Sequence, residues 1–339
     1  MKAFRNILVV VKQTPYEQYL QLKSQGRAPV ALRWERLKNR YEVHKSCVDT
    51  VTGLLNNLDV TYTVVGREEM HRNYLADTDL VIAVGGDGTV LSTSCFLDNT
   101  IPILGVNSDP TLPEEEGVAK PKDERRSRGA LCATSANNVM EMLPRVVLGD
   151  MAPGSRTRIQ CIVKSTYTET RLPPALNDVL VAHPSPAAVS RFRLSLNSLD
   201  SNYNSSFQHK DHPQVGPSVF SYNCWSSGIW VSTATGSTAA MAAAGGYSMD
   251  KHSKNLQYMV REHLHEHSPE DEQGLDEGHG EITPDQMIEL RWNSQFGHVF
   301  VDGSHNVFDL ALGDEINIES HAPELQIFEQ NSPKRRPRR

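Results

Sequence analysis

In the stretch VIAVGGDGTVL (Val81–Leu91), an acidic side chain, Asp87, is flanked by Gly85 and Gly86 on one side and Gly88 on the other. Glycine admits backbone conformations and close approaches that a side chain forbids, so a phosphate can meet bare N–H groups there. A helix opening near Thr89 would add its positive N-terminal end, which completes the ingredients of an anion site. The carboxylate does not fit a simple phosphate cradle. It repels phosphate unless it accepts a hydroxyl proton or orients Mg²⁺, and those are the needs of a kinase. A Gly-Asp-Gly turn without a ligand is the alternative.

Two further stretches carry polar groups at strand ends. GIWVSTATGSTAAMAAAGG (Gly228–Gly246) passes from a β-prone segment through a hydroxyl-rich turn into an alanine-rich run expected to be helical. A flat base can lie on such small residues while Thr235, Ser237 and Thr238 bond its edge or a ribose; N-capping and close packing are the alternative use. In ALNDVLVAHPSPAAVSRF (Ala175–Phe192), Asn177 and Asp178 open a strand, where an amide beside a carboxylate can hold a ribose diol or an adenine edge. Turn chemistry explains that pair equally well. Arg191 is a candidate phosphate partner or a solvated surface residue. The GGDGT turn lacks the spacing of GxGxxG and the Lys-Ser/Thr end of a Walker A loop, which weakens dehydrogenase and P-loop readings.

The elements that must position these groups fall into two kinds. Ile7–Val11, Val60–Val65, Leu80–Val84 and Ile101–Val106 read as strands, and Trp34–Leu58 and Val90–Leu97 as helices, the alternation of an open Rossmann-like α/β sheet. After about Gly149 the segments become short and β-prone: Ile159–Lys164, Asp178–Ala182, Phe192–Leu196, Gly228–Thr233, Met287–Trp292, His298–Val301 and Glu315–Glu319. The expected organisation is an α/β domain over 1–149, a β-rich domain over 150–328 and a basic tail over 329–339. Two polar insertions, Ser201–Ser218 and Glu262–Glu281, are expected to be exposed loops. The second carries His263, His265, His267 and His279, for which solvation is the expected role rather than metal binding. Asp302-Gly303 is expected to turn a hairpin, with an approach to the active site as the alternative.

With 339 residues the chain can bury a sizeable core. Its net charge of −7 argues against a general nucleic-acid binder, although five of its last six residues are basic. Five dispersed cysteines without a CxxC pair fit a reducing compartment, and no apolar run is long enough to span a bilayer. A cytoplasmic protein without membrane partners is the expectation.

Together and in this order, GGDGT, Asn177-Asp178 and TGSTAA (Thr235–Ala240) resemble the NAD kinase family over about Ile7 to Phe328, outside the two insertions. The resemblance implies transfer of a phosphoryl group from ATP with Mg²⁺ to the adenosine ribose 2′-hydroxyl of NAD⁺ or NADH. It implies Asp87 as general base, Gly85, Gly86, Gly88 and Thr89 around the phosphates, and Asn177 and Asp178 at the adenosine end. Arg191 would lie near the nucleotide, Thr235, Ser237, Thr238 and Ala239 along its adenine and ribose, and a homodimer or larger homo-oligomer would form. Asp178 stands where the family commonly has Glu, and Ala240 replaces the tyrosine of TGSTAY. Ser227-Gly228 replaces Asp-Gly, and GVNSDPTLPEEEG (Gly105–Gly117) replaces GVNxGxLGFL. These departures resemble the branch of plant NADH kinases and mitochondrial NAD kinases. Loss of a carboxylate at Ser227 would remove a preference for the cationic nicotinamide ring, so NADH is the expected better substrate. Diacylglycerol and sphingosine kinases share GGDGT, as do phosphofructokinases, but TGSTAA speaks against a lipid kinase; a non-catalytic nucleotide-binding regulator is the other alternative.

Overall fold

The computed structural model describes residues 3–28, 34–110, 128–199, 215–264 and 278–330. Residues 111–117 of the altered GVN segment, most of the first insertion, His265, His267 and 331–339 of the tail lie outside them. The chain divides into two compact units, Met1–Ser155 with Gln326–Arg339, and Arg156–Leu325.

In the first unit, β1 (Asn6–Val11), β2 (Thr61–Gly66), β3 (Leu80–Gly85) and β4 (Ile103–Asn107) pair in parallel, in the order β2-β1-β3-β4. All six residues of β3 are buried, as both-face coverage of a parallel strand requires. Three short strands extend the sheet: β5 (Thr134–Ser135) pairs with β4, β19 (Leu325–Ile327) lies parallel to β4, and β6 (Gly154–Arg156) follows β19 at the edge. Helix α1 (Pro15–Ser24) begins with a capping box, in which Thr14 and Glu17 satisfy each other's free N–H groups. Helix α2 (Trp34–Asn57) buries His44, Cys47, Val51 and Leu55, one stripe at helical spacing. Helix α3 (Asp87–Ser94) starts at Asp87, two residues before the expected Thr89. Helix α4 (Val139–Val147) adds Val139, Leu143 and Val146 to the same core.

The second unit is two six-stranded antiparallel sheets. One runs β11 (Val215–Ser226), β10 (Ser190–Leu199), β15 (Gln286–Trp292), β18 (Glu315–Glu319), β7 (Gln160–Lys164), β8 (Glu169–Arg171). The other runs β14 (His279–Ile282), β13 (Leu256–Val260), β12 (Ile229–Ser232), β9 (Asp178–Ala182), β16 (Phe296–Val301), β17 (Asn306–Ala311). Phe192, Leu194, Leu290, Trp292 and Ile316 from the first share one core with Val179, Val181, Ile229, Val231 and Val299 from the second. Burying alternate side chains of each strand in a single layer is what makes a sandwich.

Three expectations require correction. Val215–Ser218 belongs to strand β11, paired with β10, because its backbone finds a partner there. His279–Glu281 likewise belongs to β14, paired with β13. The alanine-rich run forms only a 3₁₀ turn at Gly236–Thr238 and a single helical turn at Ala240–Ala243. Ala239 between them has φ −100° and ψ −120°, which interrupts the helix. Asp302-Gly303 does turn the hairpin between β16 and β17, with both residues at positive φ. Among the described residues no helix is long and apolar enough to cross a membrane.

Candidate active site

In the first unit, β3 delivers the chain to Gly85, whose missing side chain is a packing requirement. A Cβ there would overlap Thr89 Oγ1 and press on Lys12 Cβ. Thr89 is therefore buried against Gly85, while its N–H, with that of Val90, donates to the Gly86 carbonyl. Gly88 is exposed and has nothing near its Cα side, so the turn is open on that side. Asp87 sits in the first turn of α3, where the helix end favours negative charge. Its Oδ1 accepts the Leu131 N–H at 2.8 Å, which fixes the carboxylate's orientation. The neighbouring Cys132 thiol is pushed up to about 12, by burial first and by the Asp87 charge second, so it stays protonated beside that carboxylate.

In the second unit, Asn177, Asp178 and the Thr235–Ala239 turn are brought together by one crossover. The Thr233 hydroxyl donates to the Leu176 carbonyl, and the Thr233 N–H donates to the Asn177 carbonyl at 2.9 Å. Gly236 passes directly under Asn177, so close that a Cβ would overlap the Asn177 carbonyl oxygen. Ser237 is wholly buried; its hydroxyl donates to the Ala234 carbonyl and accepts the Met249 N–H, holding the turn in shape. Thr235 and Ala240 are half-buried and Thr238 and Ala239 exposed, so these four offer the accessible surface of the motif.

Asp178 is buried, and its partner is a residue 124 positions away. The Asp302 carboxylate accepts the N–H groups of Leu176 (2.7 Å), Asn177 (2.7 Å) and Asp178 (3.1 Å), three consecutive donors gathered on one anion. Burial raises the Asp302 carboxyl to about 6 against the pull of those N–H groups and of Arg158. Burial and then the Asp302 charge raise Asp178 to about 7. The pair thus retains a proton close to neutrality, and a carboxyl in that state both donates and accepts hydrogen bonds.

Ser227 and Arg191 lie elsewhere in this unit. Ser227 follows β11, half-buried, with its N–H on the Arg261 carbonyl. The register Ile229↔Val181 and Ser232↔Asp178 puts Ser227 and Asp178 at opposite ends of the β9–β12 pair. Arg191 is exposed on the other sheet, its guanidinium 5.0 Å over the Trp225 ring. His263 meets Tyr222 and His279 meets Tyr247 in tilted ring contacts, with interplanar angles of 40° and 46°.

Two residues organise these clusters through contacts that the sequence did not specify. Leu131 contributes only its backbone N–H, which no sequence pattern reveals. Asp302 had a visible signal, an Asp-Gly turn, but its bonds to Leu176–Asp178 are made by topology.

The ATP-NAD kinase N-terminal domain model matches residues 21–109. The chain is 40% identical to the probable NADH kinase of Oryza sativa subsp. japonica over 86% of its own length and 83% of that protein. It is 37% identical to the NADH kinase of Arabidopsis thaliana over 96% of each. The crystal structure of yeast NADH kinase complexed with NADH superposes with a TM-score of 0.63 at 15% identity, covering 98% of this chain and 85% of that one, a likeness of fold. The named relatives are NAD and NADH kinases, which gives a lipid kinase no support. With both plant enzymes matched over most of their length, the chain belongs to the NAD kinase family.

Proposed function

We propose that this kinase transfers the γ-phosphoryl group of ATP to the adenosine ribose 2′-hydroxyl of NADH, and of NAD⁺ with lower efficiency. Its membership of the NAD kinase family makes it an ATP-dependent kinase of NAD(H). The observation that carries the residue assignment is Asp87 at the open end of β3, held by the Leu131 N–H beside bare backbone. There Asp87 takes the 2′-hydroxyl proton as the oxygen attacks phosphorus, and the N–H groups of Gly86 and Gly88 face the phosphoryl oxygens. The donor set fits a triphosphate carrying Mg²⁺: a glycine at Gly85 that excludes a Cβ, an open Gly88, a helix N-terminus and one carboxylate. Mg²⁺ would supply charge neutralisation on the donor phosphates. In the second unit Asn177, Asp178 and Thr235–Ala240 hold the adenosine, while Ser227, at the far end of the β9–β12 pair, meets the nicotinamide end. Arg191 contributes to the nucleotide surface from beside Trp225.

The preference for NADH rests on Ser227, which presents a neutral hydroxyl where a carboxylate would attract the cationic ring. Comparing kcat/KM for NADH and NAD⁺ with ATP tests it, and a clear preference for NAD⁺ refutes it. Ser227→Asp should shift the ratio toward NAD⁺ by about tenfold. The reading includes a homodimer in the cytoplasm, checked by light scattering and by imaging a tagged chain.

A further inference from the structure

A kinase that transfers a highly charged phosphoryl group needs fixed positive charge beside it, and GGDGT contains none. The first unit supplies a source. Strand β1 leads to β2 on one side and β3 leads to β4 on the other, so the order β2-β1-β3-β4 reverses direction between β1 and β3. In open parallel sheets, ligands occupy the crevice outside the carboxyl ends of the strands at such a reversal.

Lys12 is the first residue past the end of β1 at that crevice, and Gly85 is the last residue of β3 beside it. The Lys12 N–H donates to the Val84 carbonyl at 3.1 Å, and a Cβ on Gly85 would come within 3.2 Å of Lys12 Cβ. The lysine side chain therefore originates against the glycine turn. Behind it, buried His44 on α2 bonds Ser108 Oγ at 2.7 Å, and the Ser108 N–H donates to the Gly85 carbonyl at 2.8 Å. One brace thus joins β3, β4 and α2 around this point.

The charge at this position is poorly compensated. Burial lowers the Lys12 pKa; Asp109 opposes that effect, and Arg40 and Arg67 add to it. Among the described residues, no carboxylate lies within ion-pair distance of the Lys12 ammonium. A desolvated cation without a partner is unfavourable in the empty protein and becomes favourable when an anion arrives. Phosphate oxygens are that anion by position, and the donor triphosphate carries more charge than the pyrophosphate of a dinucleotide.

We infer that Lys12 is a donor-site residue, its ammonium binding the phosphate oxygens of the ATP triphosphate beside Gly85 and stabilising the charge that develops during transfer. The inference rests on the kinase reading, since it assigns the triphosphate that reading requires.

The test uses the full-length chain, with Lys12→Met and Lys12→Arg. Varying ATP at saturating NADH, Lys12→Met should lose about 100-fold in kcat/KM for ATP. Varying NADH at saturating ATP, its KM for NADH should stay within about twofold, because Lys12 is assigned to the donor triphosphate and not to the dinucleotide. Lys12→Arg, which keeps the charge, should recover a substantial part of the loss. The melting temperature of Lys12→Met should equal or exceed that of the parent, since an unpaired desolvated charge has been removed. Titration calorimetry with inorganic tripolyphosphate should show binding weakened at least about tenfold by Lys12→Met. Unchanged kcat/KM for ATP, a loss confined to NADH, or tripolyphosphate binding indifferent to the substitution each overturns the assignment. If the parent makes no NADPH yet binds tripolyphosphate through Lys12, the kinase reading falls and the phosphate site stands.

Discussion

The two units desolvate opposite charges. In the first, burial lowers the basic groups Lys12 and His44, the latter to about 4; in the second, burial raises the acids Asp178 and Asp302, to about 7 and about 6. The architectures differ in the same sense. A parallel sheet ends in a row of strand termini, where a glycine turn leaves backbone N–H groups beside a partly buried lysine. An antiparallel sandwich closes its edges with turns, and here one turn carboxylate is drawn inside to satisfy three backbone donors. The first arrangement suits a polyphosphate, the second a neutral or weakly charged sugar and base.

The comparison breaks most sharply at Asp87. If the first unit performs chemistry and the second mainly holds a ligand, Asp87→Asn should reduce kcat by about 10²- to 10⁴-fold while dissociation of NADH changes by less than about threefold. Single-turnover rates and equilibrium binding, measured separately, check this. An equal loss in both would move Asp87 out of its proton-accepting role.

The second unit is probed at Asp302. Asp302→Ala leaves the Leu176, Asn177 and Asp178 N–H groups without their acceptor, and burying unsatisfied donors should lower stability by about 3 kcal/mol. Urea unfolding reads the loss. The KM for NADH should rise as well, because Asn177 and Asp178 lose their brace, whereas kcat at saturation should fall far less than in Asp87→Asn. A variant that unfolds normally would mean that other acceptors take over the three donors.

The sequence was informative wherever function depends on local backbone. The buried run ending in GGDGT announces a strand, a turn and a helix, and the structure shifts that helix to Asp87–Ser94 from the expected Val90–Leu97. TGSTAA was readable as a polar turn but not as a short one. Gly236 must pass beneath the Asn177 carbonyl, a contact across 59 positions, and that path ends the helical run before it lengthens. The role of Lys12 was hidden for a related reason. A lysine after a β-branched run is an ordinary strand exit, and only the parallel pairing of β1 with β3 sets it against Gly85. What escaped sequence reasoning was the set of contacts made by strand order, not the chemistry of the residues.

The smallest effect tests the electrostatic difference directly. His44 is fully folded into the core, its ring desolvated and further disfavoured as a cation by Lys12, with Glu17 opposing. Its folded pKa of about 4 lies below the ordinary value of 6.5, so between those two pH values the unfolded chain binds a proton that the folded chain refuses. Stability from this group is complete above pH 6.5 and is lost as pH falls toward 4. Asp178 and Asp302 behave oppositely. Their folded values exceed the ordinary 3.8, so the folded chain holds protons that the unfolded chain has released, and stability is complete below about pH 4 and declines as pH rises through 6 and 7. His44→Gln should therefore lie further below the parent at pH 7 than at pH 5, by about 2 kcal/mol. Asp178→Asn should move the other way, gaining on the parent from pH 5 to pH 8. Urea midpoints across that range decide the matter: two gaps that move in the same direction would mean that the units do not differ in the charge they bury.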